Sequence, residues 1–249
     1  MEQPMNQVTS GPAPEPLAHV PWTRRDMFWA TVLGVVGVLG LLVLMFLVLQ
    51  VFQLSTGKAM SSHLTGVLVL VAELGMLLPV WVLGVRKYRL PWSSVGFRRF
   101  NASRAFGFGC LFLLVSFAFN AIWAVFLGLF RLQAQPDVLP LFGGGIAGLS
   151  RALLVGGLVA PVAEEAFFRG YLFAGLRQHL GLWPAVLLTA ALFALAHILP
   201  TSWPPIFVLG VLFALLYEQT ASIWPAVIGH GLINTLAFLA SYLLSTLAA

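Results

Sequence analysis

The chain has 249 residues, of which 60% are hydrophobic and only 8% charged, and its mean hydropathy is +0.96. Soluble domains carry about 25% charged residues, so a water-soluble globule of this composition is excluded. The net charge of +5 does not mark a nucleic-acid binder, because the Lys and Arg residues lie between apolar segments, where they set membrane orientation.

In chain order, residues from Met1 to about Pro21 are polar and include Pro4, Pro12, Pro14, Pro16 and Pro21. This composition predicts a disordered cytoplasmic tail over 1–22, followed by a single membrane domain over 23–249. Arg24 and Arg25 precede an apolar run from about Phe28 to Phe52. That run exceeds a signal-peptide core of about 7–15 residues, so it reads as an uncleaved first membrane helix. A spanning helix needs about 20 mostly apolar residues. Further candidates are Leu64–Val85, Ala105–Phe130, Ile146–Phe173, Pro184–Leu199, Pro205–Tyr217 and Ile223–Leu247. The expected fold class is therefore all-α: a polytopic transmembrane helical bundle of about seven helices, with six to eight compatible with the sequence. The fifth and sixth segments look short. Cys110 lies inside an apolar run and, as the single cysteine, allows neither an intramolecular disulfide nor a cysteine metal cluster.

The segment between the second and third helices carries Arg86, Lys87, Arg89, Arg98, Arg99 and Arg104, and the flank of the first carries Arg24 and Arg25. The loop after the first helix has only Lys58, and the loop after the third has Arg131 and Asp137. The positive-inside rule then places the N-terminus in the cytoplasm. Trp92–Phe100 reads as an interface segment on that side. Glu218 and His179 fall at helix ends and read as interfacial.

An ionisable group in the hydrocarbon region costs on the order of 2.5–3.5 kcal/mol on insertion scales. Three of the chain's eight acidic residues lie in apolar segments, Glu73, Glu164 and Glu165, as do two of its five histidines, His197 and His230. Glu165 and Arg169 are four apart and share a helix face, so they can pair, while Glu164 points about 100° away. One carboxylate is thus structural and the other free for chemistry. Phe193 and His197 are also four apart, as are His230 and Asn234. Taken singly, each pair has a plainer explanation as polar glue between helices. Depth argues for the sharper one. Counting 1.5 Å per residue from the cytoplasmic helix ends, Glu164 lies about 20 Å in, His197 about 21 Å, Asn234 about 18 Å and His230 about 12 Å. On that argument the site opens towards the cytoplasm. Glu73 stands in the second helix without a motif around it, either paired with Arg151 or lining the cavity.

A carboxylate and an imidazole around one water can activate it for attack on a carbonyl. A second imidazole and an amide can donate to the oxyanion of the tetrahedral intermediate. Glu164 is then the general base, His197 holds or polarises the water, and His230 and Asn234 form the oxyanion site. The same groups could also hold a divalent metal such as zinc through Glu164, His197 and His230. No HExxH is present, and spacing alone decides neither for nor against a metal.

The three motifs, Glu164-Glu165-x-x-x-Arg169, Phe193-x-x-x-His197 and His230-x-x-x-Asn234, occur in order in apolar segments. In this the chain resembles the CAAX prenyl endopeptidase and bacteriocin-processing enzymes, the CPBP (Abi-type) intramembrane proteases. The resemblance covers roughly Leu149–Phe238, within a core of about 145–247; the first half matches only as generic membrane helices. It implies an intramembrane endopeptidase, glutamate-dependent or metal-dependent, in the cell membrane of a prokaryote. Its partners would be a peptide or membrane-tethered protein tail and the lipid bilayer, with no nucleic acid. The motif residues imply catalytic roles for Glu164, His197, His230 and Asn234 and supporting ones for Glu165, Arg169 and Phe193. A non-catalytic scaffold of the same fold and a proton-coupled transporter are the competing readings.

Overall fold

A computed structural model describes residues 17, 19–57, 62–133, 137–197 and 199–247. Most of the expected tail and Lys58 lie outside these residues. The described residues are almost entirely helical. Six helices are long and apolar enough to cross a membrane: α1 (Arg24–Thr56), α2 (Ser62–Arg86), α3 (Ala102–Leu129), α4 (Gly145–Leu180), α6 (Pro200–Thr220) and α7 (Trp224–Leu247). Helix α5 (Leu182–Leu195) is apolar but shorter. The molecule is an all-α integral membrane protein. Large apolar side chains such as Phe46, Leu54, Phe106, Leu114, Ile122 and Leu129 stand exposed on α1 and α3, a surface suited to lipid tails and not to water.

Two boundaries differ from the sequence expectation, and both differences have a local cause. The sixth helix does not start at Pro205. Trp203, Pro204 and Pro205 form its first turn after a short 3-10 turn at Pro200–Ser202, because proline is tolerated where the N–H would be unpaired anyway. The fifth helix does not reach Leu199. It stops at Leu195, where the ring Nδ1 of His197 pairs with the Phe193 carbonyl at 2.9 Å and so satisfies one of the orphan carbonyls of the last turn. Trp203 Nε1 donates to the His197 carbonyl at 2.7 Å and ties the loop to the start of α6.

Helix α2 is interrupted in mid-span. Pro79 offers no N–H, and its ring crowds the carbonyl four residues back, at Gly75. The first α-helical stretch ends at Gly75 and the next begins at Leu77, with a tight turn between them in which Met76 N donates to Glu73 O at 3.1 Å.

One end of the bundle gathers the basic residues. Asp26 accepts from Lys87 and Tyr88, both at 2.5 Å, and caps α1 through Thr23; this hydrogen bond holds the Lys87 ammonium above the ordinary lysine pKa. Val20 and Trp22, placed by composition in the tail, are buried. Val20 N bonds Gln178, and Trp22 Nε1 donates to Tyr171 O at 3.0 Å with its ring stacked on Tyr171. Arg177 forks onto Glu218. The Trp92–Phe100 stretch does not simply lie along an interface. It docks on the α6–α7 turn, where Gly96 O accepts from Ile223 N and Arg98 O from Ser222 Oγ at 2.7 Å. The main core, built on Phe167, Phe168, Tyr171, Phe173, Phe193, Tyr217 and Ile223, fills the bundle between this end and the Glu164–Glu165 pair. A smaller cluster of Leu139, Phe142, Leu149, Val155 and Phe238 packs the opposite end.

Candidate active site

The site is organised by α4, whose regular winding is broken on both sides of the two glutamates. Leu153–Val159 and Ala166–Phe173 are π-helical, and only Ala160–Glu165 between them is α-helical. Pro161 explains a consequence of the first π stretch. Ala160 N–H donates to Val155 O, and the next amide along belongs to proline and has no hydrogen. The Gly156 carbonyl is thereby left without a helical donor. Asn234 of α7 fills the vacancy, its Nδ2 donating to Gly156 O at 2.8 Å. Close approach makes this reach feasible: a Cβ on Gly231 would stand 2.6 Å from Gly157 O.

The four helices bring the motif residues together. Arg169 Nη1 donates to Glu165 Oε1 at 2.8 Å, with the two side chains 1% and 0% exposed. Its Nη2 donates to Gly210 O of α6 at 3.3 Å, and its guanidinium lies 4.4 Å from the Phe193 ring centroid and 5.4 Å from that of Phe213. A buried charge with an ion-pair partner, a backbone acceptor and aromatic faces is compensated on most sides. Glu165 Oε1 also meets His230 Nδ1 at 3.0 Å. A carboxylate can only accept, so the imidazole donates from Nδ1, and Nε2 is turned towards Glu164, 3.9 Å from Oε2. Phe213 stacks on the His230 ring at 5.5 Å and Phe193 meets it edge-on at 5.9 Å, fixing its plane. The Phe193 ring also packs on His197 at 5.2 Å. Since the Phe193 carbonyl can only accept, His197 donates from Nδ1 as well and keeps its Nε2 lone pair.

The two neighbouring carboxylates therefore have different surroundings. Glu165 is fully buried and spans Arg169 and His230. Glu164 is partly accessible, with its side chain 14% exposed, and its buried Oε2 has no hydrogen-bond partner.

Sequence reasoning missed three features of this site. The first is Phe213, the stacking partner of His230, which reads in sequence as one more apolar residue. The second is the Gly156 carbonyl, which engages one N–H of Asn234, the residue assigned by sequence to an oxyanion site. The third is the position of Glu73. Arg151 does not reach out for it: its Nε donates to Phe142 O at 2.8 Å, and a guanidinium nitrogen stands 3.5 Å from His63 Nδ1. Glu73 instead lies within hydrogen-bonding reach of Glu164. Its presence in an apolar segment was a signal, but not one that names a partner.

Two histidines anchored through Nδ1 and presenting Nε2 have the tautomer found in metal ligands. Even so, among the described residues no three His, Cys, Asp or Glu side chains stand close enough together to hold a metal ion. The chemistry proposed below is written with the chain's own groups.

The Bacillus subtilis (strain 168) protein named "Putative membrane peptidase YdiL" is 29% identical over 83 residues, which is 33% of this chain and 34% of that protein. The chain thus aligns with about a third of that relative's length. No solved structure matches. Residues 146–236, which include all three motifs, match the family described as "Type II CAAX prenyl endopeptidase Rce1-like".

Proposed function

We propose that the protein is an intramembrane endopeptidase that hydrolyses a peptide bond in a peptide or membrane-tethered protein tail, with Glu164 as general base. One observation carries the reading: the open Oε2 of Glu164 faces His230 Nε2, and His230 is held in place by Glu165 and Arg169. The gap of 3.9 Å is too long for a direct hydrogen bond and suits a water that bonds both atoms. Glu164 takes a proton from this water as its oxygen bonds to the scissile carbonyl carbon. His197, presenting Nε2 from the end of α5, helps hold the water. The carbonyl oxygen becomes an oxyanion, stabilised by the N–H of Asn234 that Gly156 does not use, while the hydroxyl that came from the water donates to Nε2 of His230. Collapse of the intermediate breaks the C–N bond, and the proton held by Glu164 goes to the departing amine. The N-terminal fragment leaves as a carboxylic acid and gives its proton to solvent. Glu165, Arg169 and Phe193 position these groups without touching substrate. The match to prenyl endopeptidases supports a substrate presented at the membrane.

The test compares peptide termini across the membrane proteome of cells carrying the wild type or Glu164→Gln at equal abundance. Defined termini that appear only with the wild type are the expected result, and they identify the cleaved bonds. Indistinguishable sets would refute the reading and favour a non-catalytic scaffold.

A further inference from the structure

The basic end of the bundle holds a cleft that shares no residue with the three motifs. Helices α1 and α5 both pack on the last turns of α4, and between them opens a cavity of about 300 Å³. Each helix gives one wall at helical spacing: Met27 and Thr31 from α1, Leu172 and Leu176 from α4, Leu188 and Leu192 from α5. The Thr31 hydroxyl donates to Met27 O at 2.9 Å, so the walls are apolar in effect. The two polar residues of the lining, Arg24 and His179, stand together at the mouth. Helices α1 and α5 run inward from the basic end and α4 runs out to it, with Arg24 opening the first span and His179 next to last in the fourth. Thr31 and Leu172 are each seven residues further in, about 10 Å deeper at 1.5 Å per residue.

The donors at the mouth are exposed, and no acidic side chain among the described residues pairs with either. The carboxylates of this end are already engaged, Asp26 by Lys87 and Glu218 by Arg177. A cation and a hydrogen-bond donor at the boundary of a span, above an apolar trough, have the polarity profile of a single phospholipid. We propose that this cleft binds one anionic phospholipid, its phosphate held by Arg24 and His179 and an acyl chain laid over Leu172, Leu176 and Leu192. Arg24 offers a fork of N–H donors to phosphate oxygens, and the imidazole donates from one ring nitrogen even when neutral. A choline headgroup carries its own cation, which offsets the attraction that an anionic headgroup keeps. The bound lipid bridges α1 and α5 across the end of α4. This site is independent of the peptidase reading.

The test strips the full chain of lipid in detergent and counts bound lipid by native mass spectrometry while phosphatidylglycerol or phosphatidylcholine is titrated. Wild type should bind phosphatidylglycerol about fivefold tighter or more, the worth of roughly one cation at an anionic surface. The double variant Arg24→Ala/His179→Ala, altered only at exposed side chains, should lose that preference. Leu188→Trp, which fills the cleft, should weaken both lipids. Arg25→Ala removes a neighbouring exposed cation that does not line the cleft and should change nothing. Equal binding of the two lipids by wild type overturns the proposal. So does Arg25→Ala losing the preference as fully as the double variant, the mark of a diffuse charged surface. Displacement of phosphatidylglycerol by an equal concentration of inorganic phosphate would mark an ion site and overturn it too, as would Leu188→Trp binding both lipids like wild type. If Leu188→Trp does not fold, the double variant and Arg25→Ala decide the matter. None of these measurements involves peptide cleavage, so failure here leaves the peptidase reading untouched.

Discussion

Helices α3 and α4 are both long, apolar and able to cross a membrane, yet the sequence uses them in opposite ways. In α3, 28 residues run as one regular α-helix from the Asn101 cap, and only 11% of its most apolar stretch is buried. In α4, 36 residues include two π-helical stretches, and 39% of the corresponding stretch is buried. A regular helix satisfies all its own backbone groups and asks nothing of its neighbours. An interrupted one leaves carbonyls and charges that other helices must answer, and those answers assemble the site. The chemistry therefore sits where regular winding has been given up, and substitutions in α4 should separate into those that stop the reaction and those that loosen the bundle.

The largest expected effect is on rate alone. Glu164→Gln should lower cleavage by about 10²- to 10⁴-fold, the usual contribution of a general base, and leave the unfolding midpoint in detergent nearly unchanged, because the amide keeps the shape of the side chain and an oxygen able to accept. A wild-type rate, measured by the peptide-termini comparison, would remove Glu164 from the chemistry.

Next comes the opposite phenotype, at the partner of the neighbouring Glu165. Arg169→Met strands the Glu165 carboxylate in a site that is 0% exposed. Removing one partner of a buried pair costs about 3–5 kcal/mol, measured by denaturant titration in micelles. The loss should be mainly of stability, with activity falling because His230 loses its anchor. If Arg169→Met unfolds like wild type, the division of labour between the two glutamates is wrong.

The pairing of Glu165 with Arg169 was legible in the sequence, because their spacing places them on one helix face and leaves Glu164 out. The helix count and the three motifs were legible too, since hydropathy and helical spacing carry them. The neighbours of those residues were not. Whether Glu73 meets Arg151 or Glu164 depends on how α2 bends at Pro79 and packs on α4, and no local pattern encodes a crossing between helices. The π stretches are equally silent, because a chain takes up that winding only when tertiary contacts compensate for it. Pro204 and Pro205 misled in the other direction: a proline pair reads as a boundary, and here it opens the helix. The loop side of His197 was hidden for a related reason, since its own ring ends the helix on which the sequence placed it.

The smallest predicted effects test the claim that Asn234 answers a fault in α4. Asn234→Ala leaves the Gly156 carbonyl without a donor, at a cost of about 1–3 kcal/mol for an unsatisfied buried polar group. If Pro161 creates that need by lacking an N–H, then Pro161→Ala should relieve it. The amide at 161 would bond the Gly156 carbonyl in the π-helical register, and Asn234→Ala in that background should cost about 1 kcal/mol less. Proline in a helix interior is itself unfavourable, so Pro161→Ala shifts stability on its own account. That shift is common to both arms of the double-mutant cycle and drops out of the coupling energy. A coupling near zero would mean that Asn234 and Pro161 act independently and that the broken winding of α4 makes no demand on α7. A measurable coupling leaves a second question, which activity answers in the same four proteins. If the double variant regains stability and still cleaves slowly, the other N–H of Asn234 acts on the oxyanion. If it regains both, Asn234 serves the reaction only by holding α7 against α4.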